Sequence, residues 1–166
     1  MFSNVYTKPA LFTDEDGITF NSTEQYYQYA KAIHYGDMTT AMEIFNEHDP
    51  VAIKHAGDRL KGRKLWDQMA LEVMHSGVLA KYKQNLKLLD LMNSTLKRSF
   101  LECNAYDLFW GIGLSLKEAS SSDIINSRGK NEMGKILNNV RAQLVNAYKC
   151  FDILRKNIIY CQTCSS

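Results

Sequence analysis

From Ser22 onward the apolar residues of this chain return every three or four positions, and no other feature constrains the fold as much. Met133, Ile136, Leu137, Val140, Leu144, Ala147 and Phe151 form one such stripe, so a long helix is expected over about 131–157. Met69, Val73, Leu79 and Tyr82, with Ala70, Met74 and Val78, predict another after Trp66. Ser22 reads as the N-cap of a first helix running to about residue 33, with Gln25 as its reciprocal capping-box partner. A second helix is expected over 38–46. A third opens at Asp49-Pro50, where proline in the first turn leaves no needed N–H missing, and ends near residue 60. Residues 86–92 predict a short helix. The extended segments are few: 2–6, 11–13 and 18–20, with Asp14-Glu15-Asp16-Gly17 as the turn of a hairpin, and a strand-like run at 96–103. The expected class is α+β, mainly helical, a single domain with a small β-sheet.

At 166 residues the chain buries enough surface to need no staple. Its four cysteines are sparse and read as reduced thiols. Cys161 and Cys164 lack a second pair or histidines at ligand spacing, so no metal site is expected. No apolar run reaches the roughly 18 residues of a membrane span, and the opening residues have no secretory-signal pattern, so a cytoplasmic protein is expected. A net charge of +2 is too small to argue nucleic-acid binding from the total.

Four constellations could carry chemistry. On the first helix Glu24, Tyr27, Gln28 and Lys31 share one face, opposite Tyr26, Tyr29, Ala30 and Ile33. Periodicity alone reads this as a solvated face opposite a core face; the sharper reading is the wall of a polar pocket. Lys54, His55, Arg59, Lys61, Arg63 and Lys64, interrupted by Asp58, could hold phosphate or complement a helix end, and Trp66 beside them could stack a base or join the core. Asp107 with Trp110, Gly111 and Gly113 suggests close backbone approach. Arg128-Gly129-Lys130-Asn131 leads into the last helix, whose first N–H groups attract anions.

These pieces occur in the order of one family. The chain resembles the NADAR, or YbiA-like, family through Phe2-Ser3-Asn4 with Tyr6 and Pro9, Asp16-Gly17-Ile18-Thr19-Phe20, and Thr23, Glu24, Tyr26, Tyr27, Gln28, Lys31 and Ala32. Further matches are Arg63 with Trp66-Asp67, Val73-Met74, Ala80-Lys81-Tyr82 with Gln84-Asn85, Asp107 with Trp110-Gly111-Ile112-Gly113, and Gly129, Asn131, Gly134-Lys135 through Val140-Arg141. The resemblance covers about 2–141 and departs at Val5, Thr7, Ala10 and Tyr29. It divides the chain into a NADAR domain over 1–145 and a helix extension with a cysteine tail over 146–166.

What the resemblance implies is hydrolysis of a ribose C1′–N bond. The expected substrate is ADP-ribose on guanine, as the free base or in nucleic acid, including ADP-ribosylated DNA, or else a phosphoribosyl-amine intermediate of riboflavin synthesis. Glu24, Lys31 and Asp107 would be catalytic: acid/base, nucleophile, and orienting or charge-stabilising group. Asn4, Tyr27, Gln28, Arg63, Lys64, Trp66, Trp110, Gly111, Gly129 and Asn131 would bind substrate. No cofactor, metal or membrane is called for. A rival is a non-catalytic module for ADP-ribose or NAD, which has no use for the Glu24–Lys31 pair.

Overall fold

The computed structural model describes residues 11–60, 66–95, 98–120 and 127–156, with backbone alone over 146–156. Two short strands, β1 (Phe12–Thr13) and β2 (Thr19–Phe20), pair antiparallel with Phe12 opposite Phe20 and Thr13 opposite Thr19. Their turn is held by Asp14, whose Oδ1 accepts from the N–H groups of Asp16 and Ile18. Gly17 sits at φ +82°, where a side chain would be strained.

Seven helices follow: α1 (Thr23–His34), α2 (Met38–Asn46), α3 (Pro50–Asp58), α4 (Trp66–Gln84), α5 (Leu86–Asn93), α6 (Leu116–Ser120) and α7 (Glu132–Lys156). The first three start on side-chain caps. Ser22 Oγ accepts from Gln25 N at 3.1 Å, Asp37 from Thr40 N, and Asp49 from Val51 N just ahead of Pro50. The capping box is half as expected. Gln25 Oε1 accepts from Asn21 N, not from Ser22, and its Nε2 donates to the carbonyls of Ile44, Phe45 and Glu47. Gln25 thus ties the start of α1 to the end of α2. The short α6 was not anticipated, although Ser115 and Glu118 exchange the hydrogen bonds of a capping box at its start.

Helix α1 packs against α2 and α3 on one side and α4 on the other. One apolar cluster joins α4, α5 and α7 through Ala70, Met74, Val78, Leu88, Leu89, Met92, Met133 and Val140. A smaller one joins α1, α2 and α3 through Ala32, Ala41, Ile44, Ile53 and Ala56. The hairpin is pinned to α4 by side chains: Gln84 accepts from Thr13 N and donates to Thr13 O, as a neighbouring strand would, and Asn85 Nδ2 donates to Leu11 O. Two of the residues matched at Gln84-Asn85 therefore serve the fold. Among the described residues no helix is long and apolar enough to cross a membrane.

The strand-like expectation over 96–103 is corrected: residues 98–103 are irregular. Their backbone groups pair with a side chain and a distant loop, since Phe100 O accepts from Asn131 Nδ2, Glu102 N donates to Asn131 Oδ1, and Glu102 O accepts from Ile112 N. Residues 2–6, the basic positions 61, 63 and 64, and both tail cysteines lie outside the described residues.

Candidate active site

The two faces of α1 are inverted relative to the simplest reading. Glu24, Tyr27, Gln28 and Lys31 are only 7%, 8%, 5% and 8% exposed, whereas Ile33 on the apolar side is 39% exposed and Tyr26, Tyr29 and Ala30 are half-buried. The face expected to be solvated is covered. Helix α3 lies directly on it at Gly57, where an added Cβ would collide with the Gln28 side chain. The Gly57 carbonyl accepts from Lys31 Nζ at 2.9 Å. Rings cover the middle: Trp66 Nε1 donates to the Tyr27 hydroxyl at 2.7 Å, and Trp110 stands edge-on to Tyr27 at 5.6 Å.

Burying an acid and an amine this way is costly unless they are hydrogen-bonded. Glu24 Oε1 accepts from Gln28 Nε2 at 2.8 Å. Burial nevertheless raises the Glu24 pKa. The Gln28 hydrogen bond and the Lys54 charge oppose the rise, and the charges of Asp58 and Asp107 add to it. Glu102 is also pushed up, by burial first and then by Asp107 and Glu24. Burial raises the Tyr27 phenol to about 12, so it stays neutral at ordinary pH. Glu24 from α1 thus feels the charges of Asp58 from α3 and Asp107 from the 98–113 coil, and Glu102 on that coil feels Asp107 and Glu24. Lys54 supplies the opposing cation on Glu24.

The coil is built from contacts distant in sequence. Asp107 Oδ1 accepts from Phe109 N at 3.0 Å and Trp110 N at 2.7 Å. The carbonyls of Leu108, Phe109, Trp110, Gly111 and Ile112 accept the N–H groups of residues 128–133. The start of α7 is therefore capped by this coil. Gly111 and Gly129 are required where backbone meets backbone, since a Cβ on either would strike main-chain atoms of the other loop or of its own. Asn131, at φ +56°, has both ends of its amide on Phe100 and Glu102.

The structure thus brings Glu24, Tyr27, Gln28, Lys31 and Asp107 to one locality. Trp110 borders it half-buried, and Trp66 is buried in the core. Gly111, Gly129 and Asn131 hold the coil; the Gly129 N–H, expected to meet an anion, donates to Ile112 O. Asn4, Arg63 and Lys64 lie outside the described residues. Sequence reasoning missed Glu102, hidden in a run read as strand, and the part played by Lys54 and Asp58, seen only as charges of a basic stretch. Asp58 follows Lys54 by one helical turn, which was the available signal. Among the described residues no group of three or more His, Cys, Asp or Glu side chains could hold a metal ion.

Comparison with known proteins decides the family. A family model described as the NADAR domain matches residues 1–145. The chain belongs to the NADAR family. Within that family it is 34% identical over 131 residues to Protein irg-1 of Caenorhabditis elegans, a match covering 76% of this chain and 62%, less than two thirds, of that protein. It is 29% identical over 131 residues to N-glycosidase R617 of Acanthamoeba polyphaga mimivirus, covering 78% of this chain and 77% of the relative. It is 30% identical over 145 residues to N-glycosidase YbiA of Shigella flexneri, covering 86% and 80%. The NMR structure of E. coli YbiA shares the fold, with a TM-score of 0.68 and 27% identity over 98% of this chain and 83% of that one. Several relatives are named N-glycosidases, which supports a glycosidase hydrolase role for this NADAR chain.

Proposed function

We propose that this NADAR protein is an N-glycosidase that removes ADP-ribose from guanine, in DNA or as the free base. The observation that carries the reading is the buried acid–amide–amine face of α1, with Glu24 and Lys31 two turns apart and Glu24 pushed toward its protonated form. A face needed only for binding phosphate and a ring would not bury an acid beside an amine.

Cleavage of C1′–N requires a proton on the departing nitrogen and relief of positive charge at C1′. Glu24 is the acid/base. The Lys31 amine attacks C1′ as the C1′–N bond breaks, the base leaves with a proton, and water then resolves the lysine adduct to free ADP-ribose. The Gly57 carbonyl aims the lysine, and Gln28 fixes Oε1 of Glu24 as an acceptor. Asp107, anchored on two N–H groups, orients charge at the ring. Trp110 borders the base; Asn4, Arg63 and Lys64, outside the described residues, are assigned to the phosphates from the sequence alone.

The test is product analysis with two substrates, ADP-ribosylated guanine and a phosphoribosyl-amine riboflavin intermediate, each with and without borohydride. Release of ADP-ribose from the first, with borohydride adding its mass to the Lys31 peptide, is expected. Turnover of the second alone reassigns the substrate. Binding without turnover of either leaves a recognition module. Near-native turnover by Lys31→Arg, with no adduct, replaces the lysine route with one using Glu24 and Asp107.

A further inference from the structure

The cleavage chemistry leaves Arg128 and Lys130 without a task. It also leaves Tyr106, Leu108 and Phe109, which flank Asp107 and lead to Trp110. All five are exposed, Tyr106 by 98%, Leu108 by 53% and Phe109 by 37%. We propose, resting on the N-glycosidase reading, that they form a rim for a single strand of nucleic acid, so that the guanine cleaved is one carried in a strand and not the free base.

The rim is continuous with the site, ring by ring. Trp110 stands edge-on to Tyr27 with centroids 5.6 Å apart, and Phe109 stands edge-on to Trp110 at 5.0 Å. Lys130 Nζ then lies 5.4 Å from the centre of the Phe109 ring. One line of groups therefore leads from a buried tyrosine on α1 to an exposed ring with a cation over it. Main-chain bonds hold the outer part in place. Lys130 N donates to Leu108 O at 2.8 Å, and Glu132 N donates to Phe109 O at 3.1 Å. Tyr106 lies in the turn before Asp107, its N–H donating to Asn104 Oδ1 at 3.0 Å.

The chemistry of these groups selects the ligand. Unpaired bases stack on exposed aromatic rings whatever their sequence, and lysine neutralises the phosphates between them. Paired bases hide their faces, so surface rings read a single strand. Large apolar side chains exposed together mark a contact surface, and these three fall within four residues of chain. Acidic groups lie nearby, but each is engaged. Glu132 pairs with Lys135, Glu118 is acted on by the Arg128 charge, and Asp107 Oδ1 accepts from Phe109 N and Trp110 N. Lys130 makes no ion pair among the described residues, so it is the cation left for a phosphodiester. With Trp110 bordering the modified base, Phe109 stacks the adjoining nucleotide and Tyr106 a base further along.

The test compares kcat/KM on three substrates that carry the same ADP-ribosylated guanine: the mononucleoside, a single-stranded DNA oligonucleotide and an RNA oligonucleotide of the same sequence. Wild type should favour a strand over the nucleoside by about 10-fold or more, and the strand it favours names the source. Tyr106→Ala and Lys130→Gln should each raise KM on that strand by about 5-fold or more, with the nucleoside rate unchanged. Tyr106→Phe should restore the native KM, and Lys130→Gln should flatten the dependence of KM on salt. Equal rates on strand and nucleoside, no loss in either variant, or equal losses on all three substrates overturn the proposal while the N-glycosidase reading stands. If wild type cleaves none of the three, that reading fails. Fluorescence anisotropy with an unmodified single-stranded oligonucleotide then still decides: wild type should bind it and Tyr106→Ala should bind it more weakly. Equal binding by the two proteins, or none by either, overturns the rim.

Discussion

Glu24 is held in a state that folding alone would not choose. Its folded pKa lies above the ordinary value, so the stability it contributes is full below that value and is lost as pH rises through the folded one. Toward neutral pH Glu24 therefore contributes less to stability than it does in acid. Glu24→Gln keeps the acceptor that Gln28 uses and removes the charge. Calorimetry at pH 7 should show a higher Tm for the variant than for wild type, the gap closing toward pH 4. Lys81 gives a second, independent case. It is 1% exposed, and burial lowers its pKa from 10.5 to about 8. Between those two values the unfolded chain holds a proton that the folded chain has lost, so stability rises with pH across the window. The full effect is about 3 kcal/mol, from ~1.4 kcal/mol per unit. Denaturant unfolding from pH 8 to 10.5 should show wild type gaining on Lys81→Met, and parallel curves would contradict the burial argument. At this scale the sequence was informative about which residues matter on α1 and misleading about their exposure. An amphipathic pattern tells that two faces differ, not which is inside, and a functional face breaks the usual rule.

The helices themselves were legible, because caps and apolar periodicity are local properties. The α2 bounds fall where the pattern put them, and Asp49-Pro50 starts α3. The 98–113 coil was not legible, since its partners are the Asn131 side chain and the N–H groups at the start of α7, some thirty residues away. Asn131→Gly keeps the left-handed backbone and removes both amide contacts; Asn131→Ala removes them and adds strain. Each variant should lose about 1–3 kcal/mol, alanine more, with a fall in kcat as the coil carrying Asp107 shifts. The α1–α3 contact makes its own prediction. Gly57→Ala should destabilise by about 1–3 kcal/mol through overpacking on Gln28. Shortening the glutamine makes room, so Gly57→Ala with Gln28→Ala should be less destabilised than the sum of the single changes. Additive losses in unfolding experiments would mean that α3 does not rest on Gln28.

For the whole molecule, two apolar clusters hold α1 between α2–α3 and α4, and the hairpin is tied to α4 by Gln84 and Asn85. This frame keeps a charged helix face buried, and the coil brings Glu102 and Asp107 to it. The arrangement is one of rigid support around acid and amine groups, which suits bond cleavage more than loose binding. The most direct measurement is the rate of ADP-ribose release from an ADP-ribosylated guanosine oligonucleotide by wild type and by folded Glu24→Gln. Wild type should release ADP-ribose over many turnovers, and Glu24→Gln should be slower by about 100-fold or more in kcat with a little-changed KM. Equal turnover by the two proteins would contradict the assignment of the buried face of α1 as the active site.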